Sequence, residues 1–263
     1  MPSAAAKDAR HPRVIALANQ KGGVGKTTTT INLGACLAEL GFRTLIVDLD
    51  PQANASSGLD VDVRGLDVTI YHVLLGEASL IDCIEATAVK NLFVAPSSLD
   101  LAGAELELAA AIGRENRLKR ALAGVIDDYD FVLIDCPPSL GLLSVNGLTA
   151  ANEIMVPVQC EYFALEGLGQ LLRNVNLVRD QLNPSLDLRY IVCTMYSRSK
   201  LANQVVAALR QSPELGHLVC KTVIPRQVKL SEAPSFGQPI TTFESSGRGA
   251  SAYRSLAQEV VNG

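Results

Sequence analysis

One stretch constrains this chain more than any other. Val14-Ile-Ala-Leu-Ala18 is a short apolar run, Lys21-Gly-Gly-Val-Gly25 is a glycine loop, and Lys26-Thr-Thr28 opens a helical segment. A strand that feeds such a loop and then a helix builds a cradle for phosphate. Glycines let the backbone wrap closely, and the helix start aims unsatisfied N–H groups and a positive dipole end at the anion. Gly22, Gly23, Val24 and Gly25 would supply backbone donors. Lys26 adds charge at the β- and γ-phosphates, and the Thr27 hydroxyl suits Mg2+.

The loop is a variant of the usual pattern. G-x-x-x-x-G-K-[ST] would place glycine where this chain has Gln20, and the first distinctive residue here is a second lysine, Lys21. Phosphoryl transfer also needs acids near the metal and the attacking water. Two strand ends offer them: Leu45-Ile-Val-Asp48-Leu-Asp50-Pro51-Gln52, and Phe131-Val-Leu-Ile-Asp135-Cys-Pro137-Pro138. In open parallel sheets ligands sit at the carboxyl ends of strands, where Asp48, Asp50 and Asp135 all fall. An isolated strand-ending aspartate is as readily a turn former; beside a phosphate loop, Asp50 and Asp135 are read as functional, and Asp48 is left open.

The remaining pattern is that of one α/β domain with a mostly parallel, twisted sheet flanked by helices on both faces. Strands are expected at Val14–Ala18, Thr44–Asp48, Asn91–Ala95, Phe131–Cys136, Ile154–Val158, Tyr190–Met195 and Thr222–Ile224, mostly as continuous apolar runs. Leu168, Leu171, Leu172, Val175, Val178 and Leu182 fall at helical spacing and read as core. Asn183-Pro184-Ser185 marks a helix end, and Pro96 to Ser98 lead into a helix from about Asp100. Residues 1–12 form a lead-in without a periodic apolar face, and 13–263 form the domain.

Composition excludes several classes. With 48% hydrophobic residues and a formal charge of −4, the chain is not disordered as a whole. Its longest apolar runs, such as Val14–Ala18 and Leu108–Ile112, fall far short of the roughly 18 residues of a membrane span. No apolar core with a cleavage site opens the chain, so export is not expected. The six cysteines lack C-x-x-C pairing and read as reduced, buried residues of a cytoplasmic protein. Charge is uneven: residues 189–254 hold nine basic residues against three acidic ones. A basic face is therefore expected there.

Lys21-Gly-Gly-Val-Gly-Lys-Thr-Thr28, Asp48-Leu-Asp-Pro-Gln52 and Asp135-Cys-Pro-Pro138 together resemble the deviant Walker A P-loop NTPases of the ParA type. Thr222-Val-Ile-Pro-Arg226, Leu230-Ser-Glu-Ala-Pro234 and Gly247-Arg-Gly249 resemble its chromosomal ParA/Soj branch. The resemblance runs from Arg13 to Val261. It implies a Mg2+-dependent ATPase, weak alone, whose ATP-sandwich homodimer binds double-stranded DNA without sequence preference. A ParB-type partner would stimulate it in moving a chromosome or plasmid, in a nucleoid-associated cytoplasmic location. On matching positions it implies that Lys26 grips the phosphates, Thr27 holds Mg2+, Thr28 reaches the α-phosphate and Lys21 crosses to the partner's phosphates. Asp50 would orient the attacking water, and Asp135 would be the switch acid near Mg2+. Pro225, Arg226 and Gln227 would border adenine. Arg198 and Lys229 match DNA-contacting positions, with Lys200, Arg226 and Arg248 as further candidates.

Three rivals share the loop. A MinD-like membrane ATPase needs a basic amphipathic C-terminal helix, which Leu256-Ala-Gln-Glu-Val-Val-Asn-Gly263 does not offer. A nitrogenase-reductase-like carrier would need cluster ligands, for which only Cys136 and Cys160 come into question. A ParA-like ATPase that positions a protein cargo on the nucleoid would share every motif.

Overall fold

The computed structural model describes residues 12–161 and 164–263. The chain runs β1 (Arg13–Leu17), α1 (Lys26–Glu39), β2 (Thr44–Asp48), α2 (Asn54–Ser57), α3 (Ile70–Leu75), α4 (Leu80–Cys83), β3 (Glu85–Ala86) and β4 (Leu92–Ala95). It continues through α5 (Leu101–Glu107), α6 (Arg117–Leu122), β5 (Phe131–Asp135), α7 (Leu142–Ala150), β6 (Glu153–Gln159) and α8 (Ala164–Gln181). β7 (Asp187–Tyr196), α9 (Lys200–Gln211), β8 (Val219–Pro225), α10 (Val228–Glu232), α11 (Ile240–Phe243) and α12 (Arg248–Asn262) complete it.

Alternation along the central strands explains why helices cover both faces. Val14, Ala16, Leu45, Val47, Val132 and Ile134 join one apolar cluster, together with Leu148 of α7 and Leu171 of α8. Their strand neighbours Ile15, Leu17, Ile46, Leu133 and Met155 join the other, with Ile31 and Leu37 of α1 and Tyr253 and Leu256 of α12. Successive side chains point to opposite faces, so a strand apolar at every position requires a helix layer on each. The stripe Leu168, Leu171, Val175 and Val178 is buried in the first of these layers.

The sheet has eight strands in the order β3-β4-β2-β5-β1-β6-β7-β8. All neighbours pair in parallel except β3 and β4. From β1 the chain works outward to β2 and β4, returns through β5, and then builds β6, β7 and β8 on the other side. The reversal leaves a crevice at the carboxyl ends of the middle strands, the place where such sheets bind ligands.

Two expectations need adjustment. The sheet carries an antiparallel edge strand, β3, which a two-residue segment without an apolar run does not announce. β6 and β7 are longer than their apolar runs, because strand pairing continues to the half-exposed residues Glu153, Gln159 and Tyr196, and β8 begins earlier, where Val219 pairs with Ile191. Residues 1–11 of the expected lead-in lie outside the described residues. Among the described residues no helix is long and apolar enough to cross a membrane.

Candidate phosphate-binding site

The loop between β1 and α1 is shaped by its glycines and braced from two other strands. Gly23 and Gly25 take left-handed conformations, with φ of 72° and 89°. Asn19 accepts the Lys21 N–H at 3.0 Å and donates to the Pro157 carbonyl of β6 at 2.8 Å. Thr194 of β7 donates to the Val24 carbonyl at 2.8 Å. Among the described residues, no protein acceptor faces the backbone N–H groups from Gly22 to Thr28. They are the orphan donors of a loop and a helix start, gathered around one small volume. Methyl-sized space at Gly22 and Gly23 is open, since a Cβ there would meet nothing within 4 Å.

Around this loop lies a cavity of about 300 Å³, lined by Gly22, Gly23, Gly25, Lys26, Thr27, Thr28, Asp50, Asn54, Pro138 and Met195. A second cavity of about 440 Å³ shares Thr27, Thr28 and Asn54 and extends to Ser231 and Pro234. A wider cleft, about 1010 Å³, sits elsewhere among α8, β7, β8 and α12. Its walls mix Arg179, Arg189 and Lys221 with Asp187, Glu214 and Glu259 and include no part of the glycine loop, so it is not the phosphate site.

The acids stand at the strand ends beside the loop. Asp48 and Asp135 are register partners at the ends of β2 and β5, both fully buried. Thr27 donates its hydroxyl to Asp135 Oδ2 at 2.7 Å, and Thr30 donates to Oδ1 at 3.1 Å. Burial first, then the neighbouring Asp48 carboxylate, pushes Asp135 up to about 7. Burial likewise raises Asp48 to about 6, against hydrogen bonds from the Ser56 hydroxyl and N–H and the Asp50 N–H that favour its charged form. Lys26 is lowered by burial, while Asp135, Cys136 and Asp50 pull it back toward charge. Two carboxyls and one ammonium thus share a buried site, where a bound cation would favour the charged form of the carboxyls. The Thr27 hydroxyl and the Asp135 carboxylate fit Mg2+, which takes few protein ligands and completes its shell with phosphate and water.

The other expected residues sort by position. Asp50 is half-exposed and lines the cavity, its carboxylate accepting the Gln52 N–H at 3.0 Å. Lys21 is exposed, with Nζ 3.2 Å from Glu161 Oε2. Pro225 pairs with Tyr196, the Arg226 N–H donates to the Tyr196 carbonyl at 2.9 Å, and Met195 beside them reaches the cavity. The Gln227 side chain turns away, donating to Glu244 at 2.7 Å and packing against Gly249. Arg198, Lys200, Arg226, Lys229 and Arg248 are all exposed on the segments that follow β7 and β8 and at the start of α12. Lys229 is shared with Glu232 at 2.9 Å and with the Phe243 ring. All six cysteines are free and buried, and no group of three metal-ligating side chains occurs among the described residues. Cys136, raised to about 12 chiefly by burial, is a packed thiol.

Sequence reasoning does not single out Asn19, Thr194 or Ser56. Asn19 and Thr194 are polar residues at the ends of apolar strands, the one available signal that such a group has a specific partner.

A doubly wound parallel sheet with a glycine loop, a lysine and two buried acids at its carboxyl edge is a P-loop ATPase. The AAA domain family matches residues 12–188. The chain is 52% identical over 250 residues to the sporulation initiation inhibitor protein Soj of Bacillus subtilis, covering 95% of this chain and 98% of that one. It is 48% identical over 253 residues to the chromosome partitioning protein ParA of Caulobacter vibrioides, covering 95% and 94%. A crystal structure of cobyrinic acid a,c-diamide synthase from Mycobacterium smegmatis, with bound ATP analog and magnesium, superposes with a TM-score of 0.83 at 41% identity, covering 95% of each chain. The chain belongs to the Soj/ParA family of chromosome-partitioning ATPases.

Proposed function

We propose that this protein is an ATP-driven partitioning switch. It binds ATP with Mg2+, pairs with a second copy across the nucleotide, and in that form holds double-stranded DNA without reading its sequence. Hydrolysis, stimulated by a ParB-type partner, releases it, and the cycle segregates a chromosome or plasmid from a nucleoid-associated position in the cytoplasm. The observation that carries this reading is the convergence of Lys26, Thr27, Asp50 and Asp135 on one loop of free N–H donors. When bound, Mg2+ neutralises developing phosphate charge; Lys26 and the loop N–H groups orient the phosphates, and Asp50 positions the attacking water. Lys21 stands exposed at the loop's outer end, where it reaches a partner copy, so that turnover depends on pairing.

Identity favours partitioning over the reaction that names the mycobacterial structure, since the match to Soj is 52% and that to the synthase 41%. Tyr253, Leu256, Ala257 and Val260 of α12 are buried against the sheet and α1, so the apolar face of this helix is taken up by the core. A ParA-like protein that moves a protein cargo over the nucleoid would use the same site.

Size-exclusion chromatography of Asp50→Ala with and without ATP and magnesium tests the reading, followed by DNA binding of each fraction. The expected result is a nucleotide-dependent dimer that retains DNA. A variant that stays monomeric when saturated with ATP and magnesium would refute the cycle.

A further inference from the structure

The six residues from Cys136 to Gly141 join β5 to α7 and carry a double duty. At one end is Asp135, hydrogen-bonded to Thr27, and within the segment Pro138 lines the phosphate cavity. Its far end must therefore be held. α7 begins after Gly141, which has no side chain to satisfy the first N–H groups of the helix. The cap comes from a different element: Glu105 of α5 accepts the Leu143 N–H through Oε1 at 3.3 Å, placing negative charge at the positive end of the helix. The fit is close, because a Cβ at Gly141 would overlap Glu105 Oε1 and lie 2.9 Å from its Cδ. Farther along α7, Asn146 is tied separately, donating to the Arg114 and Leu142 carbonyls and accepting the Leu118 N–H. The start of the helix is thus held at two points, by Glu105 on the Leu143 N–H and by the Ser144 hydroxyl, which donates to the Ser139 carbonyl within the segment.

We infer that Glu105 is a positioning residue for ATP hydrolysis. It fixes the first turn of α7 and, through the Cys136–Gly141 segment, the placement of Asp135 and Pro138 around the phosphates. This rests on the ATPase reading above. Glu105 does not line the phosphate cavity, so its loss acts on turnover and spares nucleotide affinity.

Steady-state ATPase assays and titration with a fluorescent ATP analogue test this on wild type, Glu105→Ala, Glu105→Gln and Gly141→Ala. Glu105→Ala is expected to lower kcat about tenfold with the nucleotide Kd within about twofold, a loss of the size that misplacing a reacting group produces. Glu105→Gln keeps an oxygen acceptor for the Leu143 N–H and restores kcat to within about twofold. Gly141→Ala, whose Cβ displaces the carboxylate, repeats the loss. Amide exchange at Leu143 reads the cap directly and accelerates in Glu105→Ala but not in Glu105→Gln. An active wild type with an equally active Glu105→Ala overturns this inference alone, as does a kcat loss matched by an equal loss of affinity. A wild type with no turnover overturns the ATPase reading and this inference with it.

Discussion

Lys26 shows how one side chain concentrates the demands of the site. It is 7% exposed, and burial disfavours its charge while Asp135, Cys136 and Asp50 favour it. A buried ammonium beside the loop is poised for a phosphate anion, and a methyl group in its place offers nothing. Lys26→Ala is expected to weaken ATP binding on the order of 100-fold, about 2.7 kcal/mol. Isothermal titration checks it; wild-type affinity would refute the assignment of the loop. Lys26, Thr27, Asp50 and Asp135 are legible in the sequence because phosphate chemistry demands those residue types near a glycine turn. Asn19 and Thr194 are not. Each acts by bracing the loop through a partner more than a hundred residues away, Pro157 and Val24 respectively, and no local spacing encodes such a contact.

Elements tell a similar story about what a sequence announces. The seven strands with apolar runs are legible from hydropathy alone, because a strand covered on both faces cannot alternate. β3 is not, since Glu85 and Ala86 become a strand only by pairing with Val94 and Phe93. Nor is the irregularity at the other margin, where the register between β7 and β8 shifts between Ile191 and Cys193. There the backbone of β8 is clamped by two helices. Glu259 of α12 accepts the Lys221 N–H at 2.8 Å and the Thr222 N–H at 2.7 Å, and Arg210 of α9 donates to the Cys220 and Lys221 carbonyls at 3.2 and 2.8 Å. Removing the carboxylate in Glu259→Ala leaves two N–H groups to partial solvation. A loss of about 1–2 kcal/mol is expected, which for a chain of this size lowers Tm by about 2–4 °C. Differential scanning calorimetry measures it, and an unchanged Tm would show that the clamp contributes nothing.

At the scale of the molecule, Arg198, Lys200, Arg226, Lys229 and Arg248 are exposed on the segments that follow β7 and β8 and at the start of α12, the candidates for the proposed DNA surface. In the proposed DNA-bound form these residues would neutralise DNA phosphates and release counterions, giving binding that falls steeply with salt and ignores base sequence. Arg198→Glu is expected to weaken DNA binding at every sequence and to reduce the slope of log K against log salt by about 0.9 for each phosphate no longer neutralised. Fluorescence anisotropy across a salt series checks this, with ATP-dependent dimerisation unchanged; an unaltered slope would remove Arg198 from the DNA surface.

The clamp on β8 has a consequence for how copies of the chain meet. A bare outer strand is a template on which another chain can add its own, and a sheet with two such margins could be extended into a ribbon or fibril. Here one margin is two residues long and the other has the Lys221 and Thr222 amides engaged by Glu259. Association by continuing the sheet is thereby discouraged, and the pairing across the nucleotide proposed above would use another part of the surface, where a grip can be made and undone rather than propagated.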